Sequence, residues 1–300
     1  MTHPLNKASD FPPEVLRLFD EYVHGLIDRR AFLEGAARYA RAGLSALALL
    51  TALSPRFAQA QKVASNDARI ESTTVDINSP LGYGKVRGLL VQPKQYDAER
   101  ALPMVLVVHE NRGLNPHIED IARRLALENF IALAPDALTP LGGYPGNEDD
   151  ARARFAQLDQ GKTLEDFIAA AGYLDSLRGS NGNLGAVGFC WGGGMVNTLA
   201  TRLPLLKAGV PFYGPAPALN QVKNIKAELL LHFAQRDERI NADWPAYEKA
   251  LIAAGVRYTA HHYAGTQHGF NNDTTPRYDE GAAQLAWQRT LAFLNRTLRT

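Results

Sequence analysis

Cys190 is the only cysteine in the chain, and it stands between glycines in Gly188-Phe189-Cys190-Trp191-Gly192. This is the cysteine form of the G-x-S-x-G nucleophile elbow, in which a strand turns sharply into a helix and lifts one side chain to the apex. The residues two before and two after the apex come too close for side chains, so glycine is needed at both. A helix N-terminus carries partial positive charge, which favours a thiolate over a thiol. The pattern therefore predicts covalent attack by sulfur on a carbonyl carbon. The backbone N–H of Trp191 is expected to face the developing oxyanion. Two other readings of the same residue are a buried structural cysteine and a redox-sensing thiol.

A nucleophile of this kind needs a histidine and an acid, which follow it in chain order. The apolar run Ala227 to Ala234 ends in Gln235-Arg236-Asp237-Glu238, which puts Asp237, or failing it Glu238, at the end of a strand. His268, in Gly265-Thr266-Gln267-His268-Gly269-Phe270, follows the next strand and is the expected general base, with Asp237 orienting its tautomer. Eight histidines compete for that assignment. His232 lies inside an apolar strand and reads as a satisfied core group. His261 and His262 are adjacent and point to opposite faces. His117 opens a helix and reads as surface, and His109 at a strand end reads as structural. The spacing of these groups argues for no metal site.

The elements that must hold these residues alternate. Strands are expected at Lys85 to Gln92, Met104 to Val108, Phe130 to Pro135, Leu184 to Phe189, Ala208 to Tyr213, Ala227 to Ala234 and Arg257 to Tyr263. Helices are expected at Pro116 to Asn129, Leu164 to Leu177, Gly192 to Leu203, Asp243 to Ala254 and Glu280 to Leu298. Such alternation predicts an α/β protein, a doubly wound, mainly parallel sheet with helices on both faces. Thr139 to Glu148 is rich in Gly and Pro and is expected to be a loop at the carboxyl edge of the sheet, where ligands bind.

The 300 residues carry a net charge of +1, from 32 basic and 31 acidic side chains. That balance excludes an electrostatic case for nucleic acid or an anionic membrane as partner. A single cysteine excludes an internal disulfide. Residues 1–60 read as an extension and 61–300 as the folded domain. Within the extension, Arg29-Arg30-Ala31-Phe32-Leu33 precedes an apolar run from Ala42 to Leu53 and the small-residue site Ala58-Gln59-Ala60. The run is about 12 residues, short of the roughly 20 that span a bilayer, so no stable membrane span is expected. The order resembles a twin-arginine export signal cleaved after Ala60, which makes the export machinery a partner and the periplasm the destination. Asp28 stands where such signals usually carry Ser or Thr, and Glu34 where Lys is common. The other reading is a cytoplasmic protein whose N-terminal amphipathic helix stays attached and packs on the domain or on a partner.

His109-Glu110 at a strand end, the Cys190 elbow, Asp237 and His268-Gly269-Phe270 together resemble the dienelactone hydrolase family over roughly residues 70 to 298. The resemblance implies an α/β-hydrolase fold, a Cys-His-Asp triad and hydrolysis of small esters or enol-lactones without a cofactor. It implies that Glu110 controls ionisation of the thiol, and that Asn111, in the loop after the early strand, supplies the second oxyanion N–H. Members that act on dienelactone hold its carboxylate with arginines, one shortly after the catalytic histidine, where this chain has Asn272. Arg112, Tyr144 and Phe270 are then candidates for substrate contact, Arg112 for an anion, which Arg152 or Arg154 after the Gly/Pro loop could bind instead, and the aromatics as pocket wall beside Trp191 and Tyr213. A thioesterase, a carbohydrate-ester hydrolase and a non-catalytic binding module are the other functions the same scaffold could serve.

Overall fold

Apolar runs such as Met104 to Val108 are buried on both faces, as the inner strands of a parallel sheet must be. In the computed structural model, which describes residues 7–40, 45–94 and 101–300, they lie within one eight-stranded sheet. Its strands are β1 (Ile70–Ser79), β2 (Gly84–Pro93), β3 (Leu102–Val108), β4 (Ile131–Asp136), β5 (Ser180–Phe189), β6 (Leu206–Phe212), β7 (Glu228–Arg236) and β8 (Tyr258–Gln267). The order is β1-β2-β4-β3-β5-β6-β7-β8. Pairing is antiparallel from β1 to β2 and from β2 to β4, and parallel from β4 onward. Strand β1 was not expected from the sequence. It is an edge strand whose Glu71, Ser72, Thr73 and Thr74 face solvent in succession, so it carries no period-two apolar signal.

The described part of the extension is folded. Helices α1 (Pro13–Val23), α2 (Arg29–Ala37), α3 (Ala46–Leu53) and α4 (Phe57–Ala60) precede the sheet. Phe11, Val15, Phe19, Tyr22, Phe32, Leu50 and Leu53 form a buried cluster of their own. Residues 42–44 of the apolar run lie outside the described residues, and its remainder is α3. The two departures from an export signal have structural tasks. Asp28 caps α2 by accepting from the Ala31 N–H, and Glu34 pairs with Arg30 at 2.8 Å.

The C-terminal turn of α1 is docked on the domain through its carbonyls, which no helix can satisfy internally. The Val23 carbonyl accepts from Asn111 Nδ2 and Arg112 Nη2, each at 2.9 Å. The Tyr22 carbonyl accepts from Arg152 at 2.6 Å, and the same guanidinium lies 3.8 Å from the centre of the Tyr22 ring. Cations here also complement the negative end of the helix dipole. Further along, Lys62 and Val63 donate their backbone N–H groups to the buried Asp120 carboxylate.

The crossovers cover both faces. Helices α5 (Pro116–Leu127) and α11 (Glu280–Leu298) pack on one side. Helices α6 (Glu148–Phe155), α7 (Gln160–Asp175), α8 (Trp191–Arg202), α9 (Glu238–Asn241) and α10 (Trp244–Ala253) pack on the other. Among the described residues, no helix is long and apolar enough to cross a membrane. His117, expected at the surface, is buried. Asp273, a distant residue, lies 3.2 Å from its ring, a partner that local sequence does not reveal.

Candidate active site

The elbow forms where β5 runs into α8. Cys190 sits at its apex with φ 56° and ψ −117°, a left-handed backbone that a non-glycine residue holds only when its surroundings enforce it. Its N–H donates to the Phe212 carbonyl on β6 at 3.0 Å. A side chain on Gly188 would strike the Gly192 carbonyl. One on Gly192 would strike the carbonyls of Val108 and His109 at the end of β3. The second glycine is therefore demanded by the neighbouring strand as well as by the turn.

Two further strand ends bring the expected partners. His268 follows β8, Asp237 follows β7, and both side chains are buried. His268 Nδ1 lies 2.5 Å from Asp237 Oδ2. Nε2 is then the nitrogen left to face Cys190, whose Sγ is within 4.8 Å of the ring's free nitrogen. Burial works against charge on both groups, and their mutual attraction outweighs it. The thiol is lowered to about 6 by the imidazoles around it, and His268 is raised to about 10 by the sulfur and Asp237.

A second imidazole meets the sulfur from the extension. His24, at the C-cap of α1, has Nε2 3.5 Å from Cys190 Sγ and its ring edge-on to His268 at 4.7 Å. Its Nδ1 lies 2.7 Å from the Asp20 carbonyl, and the Asp20 carboxylate is paired with Arg277 at 3.2 Å. Sequence reasoning missed His24. It belongs to no motif, and its contact with Cys190 spans 166 positions.

The structure distributes the remaining candidates. Glu110 Oε2 accepts from Asn272 Nδ2 at 3.1 Å. The side chains of Asn111 and Arg112 hold the end of α1, and Arg112 also pairs with Glu148 at 3.5 Å. Trp191 opens α8, as an oxyanion donor must, while its indole stacks on His109 and donates to Gln160. Tyr144 donates to Glu148 at 3.0 Å and lines the cavity above the thiol. Phe270 corrects the expectation of a pocket wall. It is fully buried between Tyr213 and Tyr263, in the core beneath the site.

That cavity has a volume of about 570 Å³, within the usual range for small-molecule sites. Its floor holds Cys190, His268 and Glu110. Much of its roof is extension, including Phe19, Leu50 and Phe57. Among the described residues, His24, Cys190 and His268 also lie close enough together to hold a metal ion, although none is expected from their spacing in the sequence. The Arg239 guanidinium, 2.9 Å from His24 Nε2, opposes a cation at that position.

Comparison with known proteins agrees with the fold. Residues 86–298 match the model of the dienelactone hydrolase family, and residues 3–41 match one described as YqhI-like. A protein of Salmonella typhi provisionally named carboxymethylenebutenolidase is 33% identical over 217 residues, which cover 67% of this chain and 79% of that one. The provisionally named hydrolase fragment YghX of Escherichia coli K12 is 49% identical over 116 residues, 39% of this chain and 97% of the fragment. Among solved structures, one from Klebsiella pneumoniae, provisionally titled a dienelactone hydrolase, superposes with a TM-score of 0.67. It is 27% identical and covers 76% of this chain and 99% of its own.

Proposed function

This chain belongs to the dienelactone hydrolase family and is a hydrolase of lactone or ester type, and on that premise we propose that it works through Cys190, His268 and Asp237. The observation that carries the proposal is the buried His268–Asp237 pair at 2.5 Å, set beside a thiol on a strained elbow. Cys190 adds to the substrate carbonyl, and the N–H groups of Trp191 and Asn111 receive the oxyanion. His268 protonates the leaving alkoxide, then takes a proton from water as it attacks the thioester. Each step uses a proton that the pair already holds or has just received.

Neutral esters or lactones suit the cavity best. The cations on its wall are engaged, Arg112 by Glu148, Arg277 by Asp20 and Arg29 by Asp149. Asn272 offers an amide where a carboxylate would need a positive charge. We therefore expect kcat/KM for a neutral phenyl ester to exceed that for its carboxylate-bearing analogue by about tenfold or more, and Asn272→Arg to narrow the gap. Equal rates for both in the wild type would reject the neutral preference.

Residues 1–60 are proposed to stay attached, the alternative to a removed export signal. The support is a buried apolar cluster within the extension and a helix end held by three side chains of the domain. N-terminal sequencing of protein from the native host decides it, since a chain starting at residue 61 would restore the cleaved signal. Fractionation of the same cells reports whether the folded, uncleaved chain reaches the periplasm.

The central test is hydrolysis of a chromogenic short-chain ester by the wild type and Cys190→Ala. Loss of a triad nucleophile costs about 10⁴-fold or more in kcat. Equal rates for the two proteins would reject the catalytic reading in favour of a binding module.

A further inference from the structure

The proposed reaction employs one imidazole, yet two meet the sulfur. His24 is held as firmly as a catalytic histidine would be. Its side chain is 11% exposed, and Nδ1 donates to the Asp20 carbonyl at 2.7 Å with the Asp20 carboxylate 3.4 Å away. That bond keeps the proton on Nδ1, so Nε2 is the unprotonated nitrogen, and it lies 3.5 Å from Cys190 Sγ. Acid, imidazole and sulfur thus follow one another from Asp20 to Cys190, as they do from Asp237 to His268 and Cys190 on the other side.

We propose that His24 is a second proton acceptor for the Cys190 thiol, delivered by the N-terminal extension, and that it enlarges the thiolate population of the free enzyme. The inference rests on Cys190 being the nucleophile. In the step assigned to His24, the S–H bond breaks and an N–H bond forms at Nε2. Sulfur keeps the electron pair, and the second ring proton stays on Nδ1, donated to the Asp20 carbonyl. The product is a thiolate–imidazolium pair ready to meet a carbonyl carbon, and His268, charged by a proton from solvent that Asp237 and the sulfur help it to hold, keeps that proton for the leaving group.

The charged groups facing His24 come from four directions. Asp20 lies on its own helix, Cys190 on the elbow and His268 after β8, while Arg277 reaches it through Asp20. Arg239, on α9, donates to Nε2 at 2.9 Å while the ring is neutral. Its side chain is exposed, so a proton arriving at Nε2 displaces it into water. Burial disfavours the imidazolium, but Cys190 and Asp20 outweigh it and proton affinity at His24 is raised.

The experiment is the pH dependence of Cys190 alkylation by iodoacetamide in the full chain, which reads the thiolate directly. In the wild type the rate should rise through a midpoint near the lowered thiol value of about 6. An opposite charge this close shifts a thiol by about 1–3 units, so His24→Gln should move the midpoint up by roughly one unit. Alkylation at pH 6 should then slow by about fivefold, with the plateau at high pH unchanged. Asp20→Asn should shift the midpoint in the same direction by less. The unchanged plateau is the control for folding, because a disordered site would alter the rate at every pH. A midpoint that stays in place in His24→Gln, or a rate that changes equally at all pH values, would overturn the proposal while leaving the triad intact. Ester turnover that survives Cys190→Ala would instead reject the nucleophile itself.

Discussion

Asn272 Nδ2 donates to Glu110 Oε2 at 3.1 Å, on the rim of the cavity that holds the thiol. The bond occupies an oxygen of a carboxylate whose approach to sulfur would disfavour the thiolate by like charge. Cutting it should release Glu110 toward Cys190. Asn272→Ala is expected to slow iodoacetamide alkylation at pH 6 severalfold, and Asn272→Ala with Glu110→Gln to restore it. The double-mutant cycle isolates the coupling because the two side chains touch. Equal alkylation in Asn272→Ala and the wild type would show that Glu110 does not act on the thiol.

The paired shifts of Cys190 and His268 define a pH window. Below about 6 the thiol holds its proton and cannot attack, and above about 10 His268 has lost the proton that the leaving group needs. Steady-state kcat/KM should therefore be bell-shaped with a broad top between those limits. Asp237 helps to hold the imidazolium, so Asp237→Asn should bring the upper limb down toward the ordinary histidine value near 6.5. It should also lower kcat by up to about 10⁴-fold, as expected when a buried acid no longer orients the ring. An upper limb that does not move in Asp237→Asn would assign the proton to another group.

The elbow glycines can be tested apart from the chemistry. A Cβ on Gly192 meets the Val108 and His109 carbonyls, which are fixed in and just beyond β3 and cannot retreat without breaking the sheet. Gly192→Ala should destabilise the fold by several kcal/mol and lower soluble yield, whereas Gly172→Ala, with open space around its Cβ position on α7, should be neutral or slightly stabilising. Thermal unfolding of the two variants checks this, and similar melting temperatures would contradict the clash.

The triad candidates were legible in the sequence because each is announced locally. Glycines bracket Cys190, and strand ends precede Asp237 and His268. The inner strands were legible because burial on both faces leaves an unbroken apolar run. Contacts made by distant segments left no such trace. His24 has neighbours in sequence that say nothing of Cys190. Asn111 and Arg112 read as substrate-side residues until α1, whose end they hold, is known to lie above them. Helix α6 was hidden because Glu148-Asp149-Asp150 continues the polarity of the loop before it, and only the Asn147 cap marks its start. Phe270 follows a catalytic-looking histidine, yet the turn directs it inward onto Tyr213.

Arg152 makes the docking of α1 measurable. Its guanidinium stacks on Tyr22 at 3.8 Å and donates to the Tyr22 carbonyl at 2.6 Å, so one side chain serves both the ring and the last turn. A stacked, charge-assisted contact of this kind contributes about 1–3 kcal/mol. Arg152→Ala should lower the melting temperature by about 2–6 °C if the extension unfolds with the domain. If the extension is released first, it should instead become sensitive to limited proteolysis between residues 7 and 40. Arg152→Lys keeps the charge but loses the planar stack, so it should recover only part of the loss. A variant that matches the wild type in both measurements would mean that α1 is held by its own apolar cluster and by its other contacts, among them Asn111, Arg112 and Arg277.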